Sequence, residues 1–160
     1  MTLEEIADRL AVVDVMHRFA DGIDRRDWAR YRSVFTDEIE LDYSSYRAEN
    51  AGTWTADDWV DKARSLFPGL DASQHTITNT LVELQGDVAR VQADVRADHV
   101  VVVDGVTSVY TVAGWYEDEL VRTHAEWRIR RKVLHMRWSE GDVGVMQVAR
   151  DRVRAANDTP

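Results

Sequence analysis

The chain has 160 residues, 44% of them hydrophobic and 31% charged; this is one domain's length, and a domain of this size removes roughly 70% of its unfolded surface from water, so its core can hold an internal pocket. Its 29 acidic against 20 basic residues give a formal charge of −9, a field that repels phosphate backbones and anionic membranes, so neither nucleic acid nor a membrane is expected as partner. The absence of cysteine excludes a disulfide framework, a thiolate zinc site, an iron–sulfur cluster and a cysteine nucleophile.

No apolar run approaches the ~20 residues needed to cross a bilayer. The start, Met1 to Glu5, is acidic and amphipathic rather than leader-like, and a cytoplasmic location is expected. With only Pro68 and Pro160 as prolines and no Gly/Ser linker or repeat, residues 1–160 read as a single domain.

Leu3, Ile6, Leu10, Val13, Met16 and Phe19/Ala20 recur at three- and four-residue steps, predicting a helix over 3–21 with Gly22 as its stop. A short helix is expected from Arg26 to Phe35. Ile39, Leu41 and Tyr43 then alternate with Glu40, Asp42 and Ser44, a strand signature. Thr55 reads as the N-cap of a helix carrying Trp59, Ala63, Leu66 and Phe67 and ending before Pro68-Gly69. From Ser73 the period becomes two, predicting strands near 74–84, 88–103, 107–120 and 124–138, turning at Gly86-Asp87 and Asp104-Gly105. A last amphipathic stretch with Val145, Met146, Val148, Ala149 and Val153 predicts a C-terminal helix or lid over 141–156. Helices first and a meander second imply an α+β fold, a cone-shaped curved antiparallel sheet wrapped around N-terminal helices.

Polar residues expected to point inward are the informative ones. In 88–103 one face reads Ala89, Val91, Ala93, Val95, Ala97, His99, Val101, Val103, so His99 lies in an aliphatic row. It is either a hydrogen-bonded core histidine or a pocket group. His75 opens the preceding strand, with Ile77, Asn79 and Leu81 as same-face neighbours, and is either structural or a residue of a strand mouth. Asp24 lies where the chain turns back after the first helix; Asp27 suits an N-cap. Tyr43 shares a face with Ile39 and Leu41 and needs a partner if buried. The basic run Arg128, Arg130, Arg131, Lys132 reads as the solvated face of a strand opposite Glu117 and Glu119. The five histidines show no metal-ligand spacing, so no metal is indicated.

The order Phe19 to Trp28, Leu41 to Tyr46, Ser73-Gln74-His75, His99 and Met136 to Asp142 resembles scytalone dehydratase and the wider SnoaL-like group of the nuclear-transport-factor-2-like superfamily. Asp24 with His75 is also similar to the dyad of hexachlorocyclohexane dehydrochlorinase. The resemblance spans nearly the whole chain. It implies a cone-shaped α+β barrel without metal or organic cofactor, a homo-oligomer with a trimer favoured and a dimer as the alternative, and a small hydrophobic substrate. Carried over, His75 matches the catalytic histidine, Asp24 the aspartate that orients it, His99 the second pocket histidine and Tyr43 one of two carbonyl-directed tyrosines. Substrate contacts fall at Tyr46, Asn79, Tyr110, Met146 and Val148. Where that family has its second tyrosine, directly before the aspartate, this chain has Ile23.

The chemistry implied is a lyase reaction, dehydration or a related β-elimination on a cyclic or aromatic substrate. Imidazole titrates near neutrality, which suits His75 as general base. Asp24 would fix its tautomer. His99 would protonate a leaving hydroxyl or bond a substrate oxygen, and Tyr43 would donate to the developing enolate. Val101, Ile77, Trp59 and Phe67 are the expected apolar walls. The alternatives are a ketone isomerase or polyketide cyclase using the same base, and a non-catalytic ligand-binding module.

Overall fold

A computed structural model describes residues 1–124 and 126–158. Ala125, inside the expected 124–138 strand, and Thr159 and Pro160 lie outside the described residues. Helix α1 spans Leu3–Arg25. Thr2 and Glu5 form a reciprocal capping box at its start, satisfying two otherwise unpaired backbone donors. Its buried stripe is Val12, Val15, Met16, Phe19, Ala20 and Ile23, whereas Leu3 and Leu10 of the expected stripe are exposed. Gly22 does not stop the helix. The stop is Arg26, in the left-handed region at φ 58°. Gly22 instead permits close packing: a Cβ there would lie 2.7 Å from the backbone nitrogen of Tyr31 on α2 (Trp28–Ser33).

Strand β1 (Phe35–Asp42) pairs with an edge strand, β2 (Ala51–Thr55), that sequence patterning missed because it is short, contains Gly52 and is largely exposed. Helix α3 runs Ala56–Arg64 with Thr55 accepting from the Asp58 N–H, as expected of the N-cap. It ends before Leu66; a one-turn 3-10 segment, Phe67–Gly69, follows, since the residue before a proline disfavours helix. The meander is β3 (Ala72–Gln85), β4 (Val88–Val103), β5 (Val106–Thr123) and β6 (Glu126–Gly141). Asp104 and Gly105 both take positive φ, which matches the right-handed strand twist in a two-residue hairpin. Helix α4 (Gly144–Asn157) starts later than expected because β6 continues to Gly141.

The single six-stranded sheet has the order β2-β1-β6-β5-β4-β3. It is unclosed, with β2 and β3 at its edges. One pairing departs from the expected antiparallel pattern: β1 and β6 are parallel, possible because most of the chain lies between them. Helix α1 packs against both β3 and β6, strands separated by β4 and β5, so the sheet curves around it.

Two register breaks change which residues point inward. In β3 the pairing shifts between Thr78 and Leu81, with Asn79 at φ 51°. Inward positions therefore run Ser73, His75, Ile77, then Val82 and Leu84, and Leu81 is left 63% exposed. In β6 the shift opposite Glu119/Leu120 makes Arg130 the extra residue. Ile129 points in before it, and Lys132 and Leu134 after it. Lys132 is thus fully buried and not part of a solvated basic face. This correction follows from the two-to-one count of a bulge, which moves every later side chain to the other face.

Candidate functional site

Asp24 sits in the last turn of α1, facing the start of β3. One carboxylate oxygen, Oδ1, is 2.8 Å from His75 Nδ1 and accepts from the Ser73 hydroxyl at 2.9 Å. The other, Oδ2, accepts the backbone N–H of His75 at 2.6 Å. Asp24 thus grips the residue by ring and backbone together. Arg26 closes the network: its guanidinium donates to Ser73 Oγ at 2.8 Å and to the Phe67 carbonyl at 3.1 Å. Burial alone would raise the Asp24 carboxyl, but the hydrogen bonds and charge of His75, with the backbone N–H and Ser73, outweigh it and hold it below the usual range. An ionised carboxylate only accepts, so Nδ1 of His75 carries the proton and Nε2 is left as the basic nitrogen. The His75 side chain is 7% exposed and lines a cavity, with Asp24 behind it.

His99 projects from β4 into the same cavity, its ring 5.9 Å from that of His75 and edge-on to it. Phe67 packs against both imidazoles, at 6.0 Å and 5.8 Å. Nδ1 of His99 lies 3.1 Å from the backbone carbonyl of Tyr110. A carbonyl can only accept, so this nitrogen donates and Nε2 is an acceptor. Burial, aided by the nearby His75, pushes His99 down to about 4. It is a neutral imidazole at physiological pH, suited to accept a hydrogen bond and not to act as an imidazolium acid. The period-two expectation that His99 faces inward holds.

The cavity is about 260 Å³ and is walled by Phe19, Ile23, Trp59, Phe67, Val95, Val112 and Leu134, among others. Four of its lining residues carry buried polar atoms without partners. The hydroxyls of Tyr43 and Tyr46, the indole N–H of Trp59 and the Asn50 amide oxygen are buried and form no hydrogen bond among the described residues. Buried unpaired polar groups cost on the order of 1–3 kcal/mol each, so such a set within one cavity is suited to a ligand. The Tyr116 ring lies 6.3 Å from that of Tyr43, and the two phenols influence one another without a hydrogen bond of normal geometry. Burial raises both well above the usual phenol range, so both remain O–H donors. Under Tyr116 lies Lys132 Nζ, 3.5 Å from the ring centroid and 2.7 Å from Asp118 Oδ2, both charges fully buried.

Of the residues anticipated from sequence, Asp24, His75, His99, Tyr43, Tyr46 and Met146 come together at this cavity. Tyr110 contributes its backbone carbonyl rather than its side chain. Asn79 does not belong: the β3 bulge turns it outward, where it donates to Asp94 at 2.8 Å. Val148, on α4, packs against the core without lining the cavity, whereas Met146 of the same turn does line it. Ile77 and Val101 are likewise core residues and not walls; Trp59 and Phe67 are walls. Sequence reasoning missed Tyr116, Asn50, the Lys132–Asp118 pair and three cations at the cavity, Arg47, Lys62 and Arg150. Tyr116 was within reach of the same period-two count that placed His99.

The profile of the SnoaL-like domain matches residues 4–133. The chain belongs to the SnoaL-like family. An uncharacterized protein of Mycobacterium tuberculosis strain H37Rv is 28% identical to this SnoaL-like chain over 134 residues, 83% of this chain and 88% of the relative. The crystal structure of a protein from Kribbella flavida superposes with a TM-score of 0.82 at 28% identity, covering 89% of this chain and 99% of that one. A candidate scytalone dehydratase from Novosphingobium aromaticivorans superposes with a TM-score of 0.76 at 17% identity (89% and 92% covered). A hexachlorocyclohexane dehydrochlorinase from Novosphingobium barchaimii gives 0.70 at 22% identity (89% and 94% covered). The last two likenesses concern the fold alone. Among the described residues no helix is long and apolar enough to cross a membrane.

Proposed function

We propose that this protein is a lyase that removes a proton from carbon in a small, mostly apolar ring substrate and expels a group from the neighbouring carbon. The observation that carries this reading is the double grip of Asp24 on His75, which leaves one basic nitrogen at a largely apolar cavity. Nε2 of His75 takes the proton; the electron pair of the broken C–H bond forms the new C=C bond as the bond to the leaving group breaks. A leaving hydroxyl departs with its bonding pair and takes a proton from the imidazolium or from solvent, whereas a halide departs as the anion and the imidazolium returns its proton to solvent. Asp24 stabilises that imidazolium. The Tyr43 hydroxyl, with Tyr116 beside it in a site that has Ile23 before the aspartate, donates to a developing enolate oxygen. His99 Nε2 accepts from a substrate hydroxyl. The resemblance to scytalone dehydratase and to the dehydrochlorinase supports the elimination chemistry, and with it a trimeric assembly.

The test is incubation of cyclic β-hydroxy and β-chloro ketones in D₂O, followed by NMR and mass spectrometry. Loss of water or chloride, abolished by His75→Ala and by Asp24→Ala in folded protein, is the expected result. Near-wild-type turnover by either variant would remove the dyad assignment. The neutral state of His99 favours a second reading, in which the same base takes and returns a proton as a ketone isomerase or cyclase, because His99 then offers the leaving group no second acid beside the protonated His75. Deuterium incorporation without loss of mass from the skeleton identifies that case.

A further inference from the structure

We propose that the substrate is an acid: its ring body fills the cavity and a carboxylate sits at the cavity mouth, held by Lys62, Arg150 and Arg47. The proposal rests on the reading of this cavity as a substrate site and adds the class of molecule it takes. The chain has nine more acidic than basic residues, yet these three cations line the cavity against one carboxylate, Glu49. They come from three separate elements. Lys62 is one turn beyond Trp59 on α3, Arg150 one turn beyond Met146 on α4, and Arg47 directly follows Tyr46; all of these neighbours line the cavity too. Residues three or four apart share a helix face, so each helix presents a cation beside an apolar wall residue.

Their charges are largely unspent. Among the described residues neither Lys62 nor Arg150 forms an ion pair. Lys62 lies 5.3 Å from the Trp54 ring centroid, and Arg150 reaches only the Met146 carbonyl of its own helix at 3.4 Å. Arg47 makes a loose contact with Glu49 at 3.6 Å and sits over the Tyr46 ring. The buried hydroxyls of Tyr43 and Tyr46, two more residues of the cavity lining, are further donors, that of Tyr46 beside the Arg47 guanidinium. A set of donors and cations facing an apolar chamber is complementary to a group that only accepts and carries negative charge, and a carboxylate is that group.

The experiment is equilibrium binding of 2-naphthoate and of its neutral isostere 2-naphthamide to the intact protein at pH 7.5, read by isothermal titration calorimetry. The acid is expected to bind at least tenfold more tightly than the amide, and the preference shrinks as ionic strength rises. Lys62→Gln with Arg150→Gln reduces the preference to within threefold. Lys62→Arg with Arg150→Lys retains it, which separates charge from loss of fold. The same preference persists in His75→Gln, although proton transfer is lost there, so failure of this proposal and failure of the dyad reading give different results. Equal binding of acid and amide, no binding of the acid, a preference surviving the double glutamine variant, or a preference lost in His75→Gln would each overturn the proposal.

Discussion

Replacing His99 by asparagine tests how the site holds its second imidazole. In the folded chain His99 is 5% exposed, donates from Nδ1 to the Tyr110 carbonyl, and is pushed by burial from 6.5 to about 4. The unfolded chain binds a proton on this ring at a pH where the folded chain refuses it. Stability therefore rises with pH between about 4 and 6.5; the His99 contribution is complete above 6.5 and is lost as pH falls toward 4. A difference of 2.5 units (6.5 − 4) corresponds to roughly 3 kcal/mol in full. Most of it, about 2–3 kcal/mol, is lost between pH 7.5 and 4.5. In His99→Asn the side-chain amide takes over the bond to Tyr110 and does not titrate. Urea unfolding of both proteins across this range, with acidic groups common to both cancelling, is expected to show the wild type losing about 2–3 kcal/mol more than the variant. Parallel stability curves, or a His99 ring signal titrating near neutrality by NMR, would refute the assignment of a neutral, buried acceptor.

Four further outcomes are expected, two from the packing and two from the proposed function and assembly. Lys132→Met strands the Asp118 carboxylate in the core and should cost about 3–5 kcal/mol in urea unfolding, whereas Lys132→Met with Asp118→Leu recovers most of it; a single variant within 1 kcal/mol of wild type, on the order of an exposed pair's worth, contradicts the buried pair. Gly22→Ala pushes a methyl to 2.7 Å from the Tyr31 backbone and should lower stability by about 1–3 kcal/mol despite alanine's better helix propensity; a stabilised variant contradicts the close approach of α1 and α2. Tyr43→Phe should lower kcat by roughly 10²-fold with the fold retained, if its phenol stabilises the enolate, and an unchanged kcat assigns it to packing alone. Light scattering should give a trimer mass, and Val103→Asp with Val106→Asp, in the exposed apolar end of the β4–β5 hairpin, should dissociate it; an unaltered trimer places the interface elsewhere.

Much of the architecture was legible along the chain. The 88–103 strand was read with its observed limits because apolar and polar residues alternate from Ala89 to Asp98 and turn residues bound it at Gly86-Asp87 and Asp104-Gly105. The same alternation put His99 inside. The Asp104-Gly105 turn and the Thr55 cap are chemically local signals, and both are found as read. Asp24 and His75 were recognisable as residues, by their order within a family pattern.

Tertiary structure decided whether those residues meet. Asp24 and His75 are 51 positions apart, and only the packing of α1 across the curved sheet places carboxylate, ring and backbone N–H within hydrogen-bond distance. It also decided what periodicity misassigned. A bulge is one extra residue, invisible to a local count, and it turned Asn79 out and Lys132 in. The partner of His99 is a backbone carbonyl, which has no residue signature, and the three mouth cations converge from elements with no shared pattern. Alternation and capping depend on neighbours in the chain and are written in it. Register and convergence depend on which distant segments pair, and these settle only when the core closes.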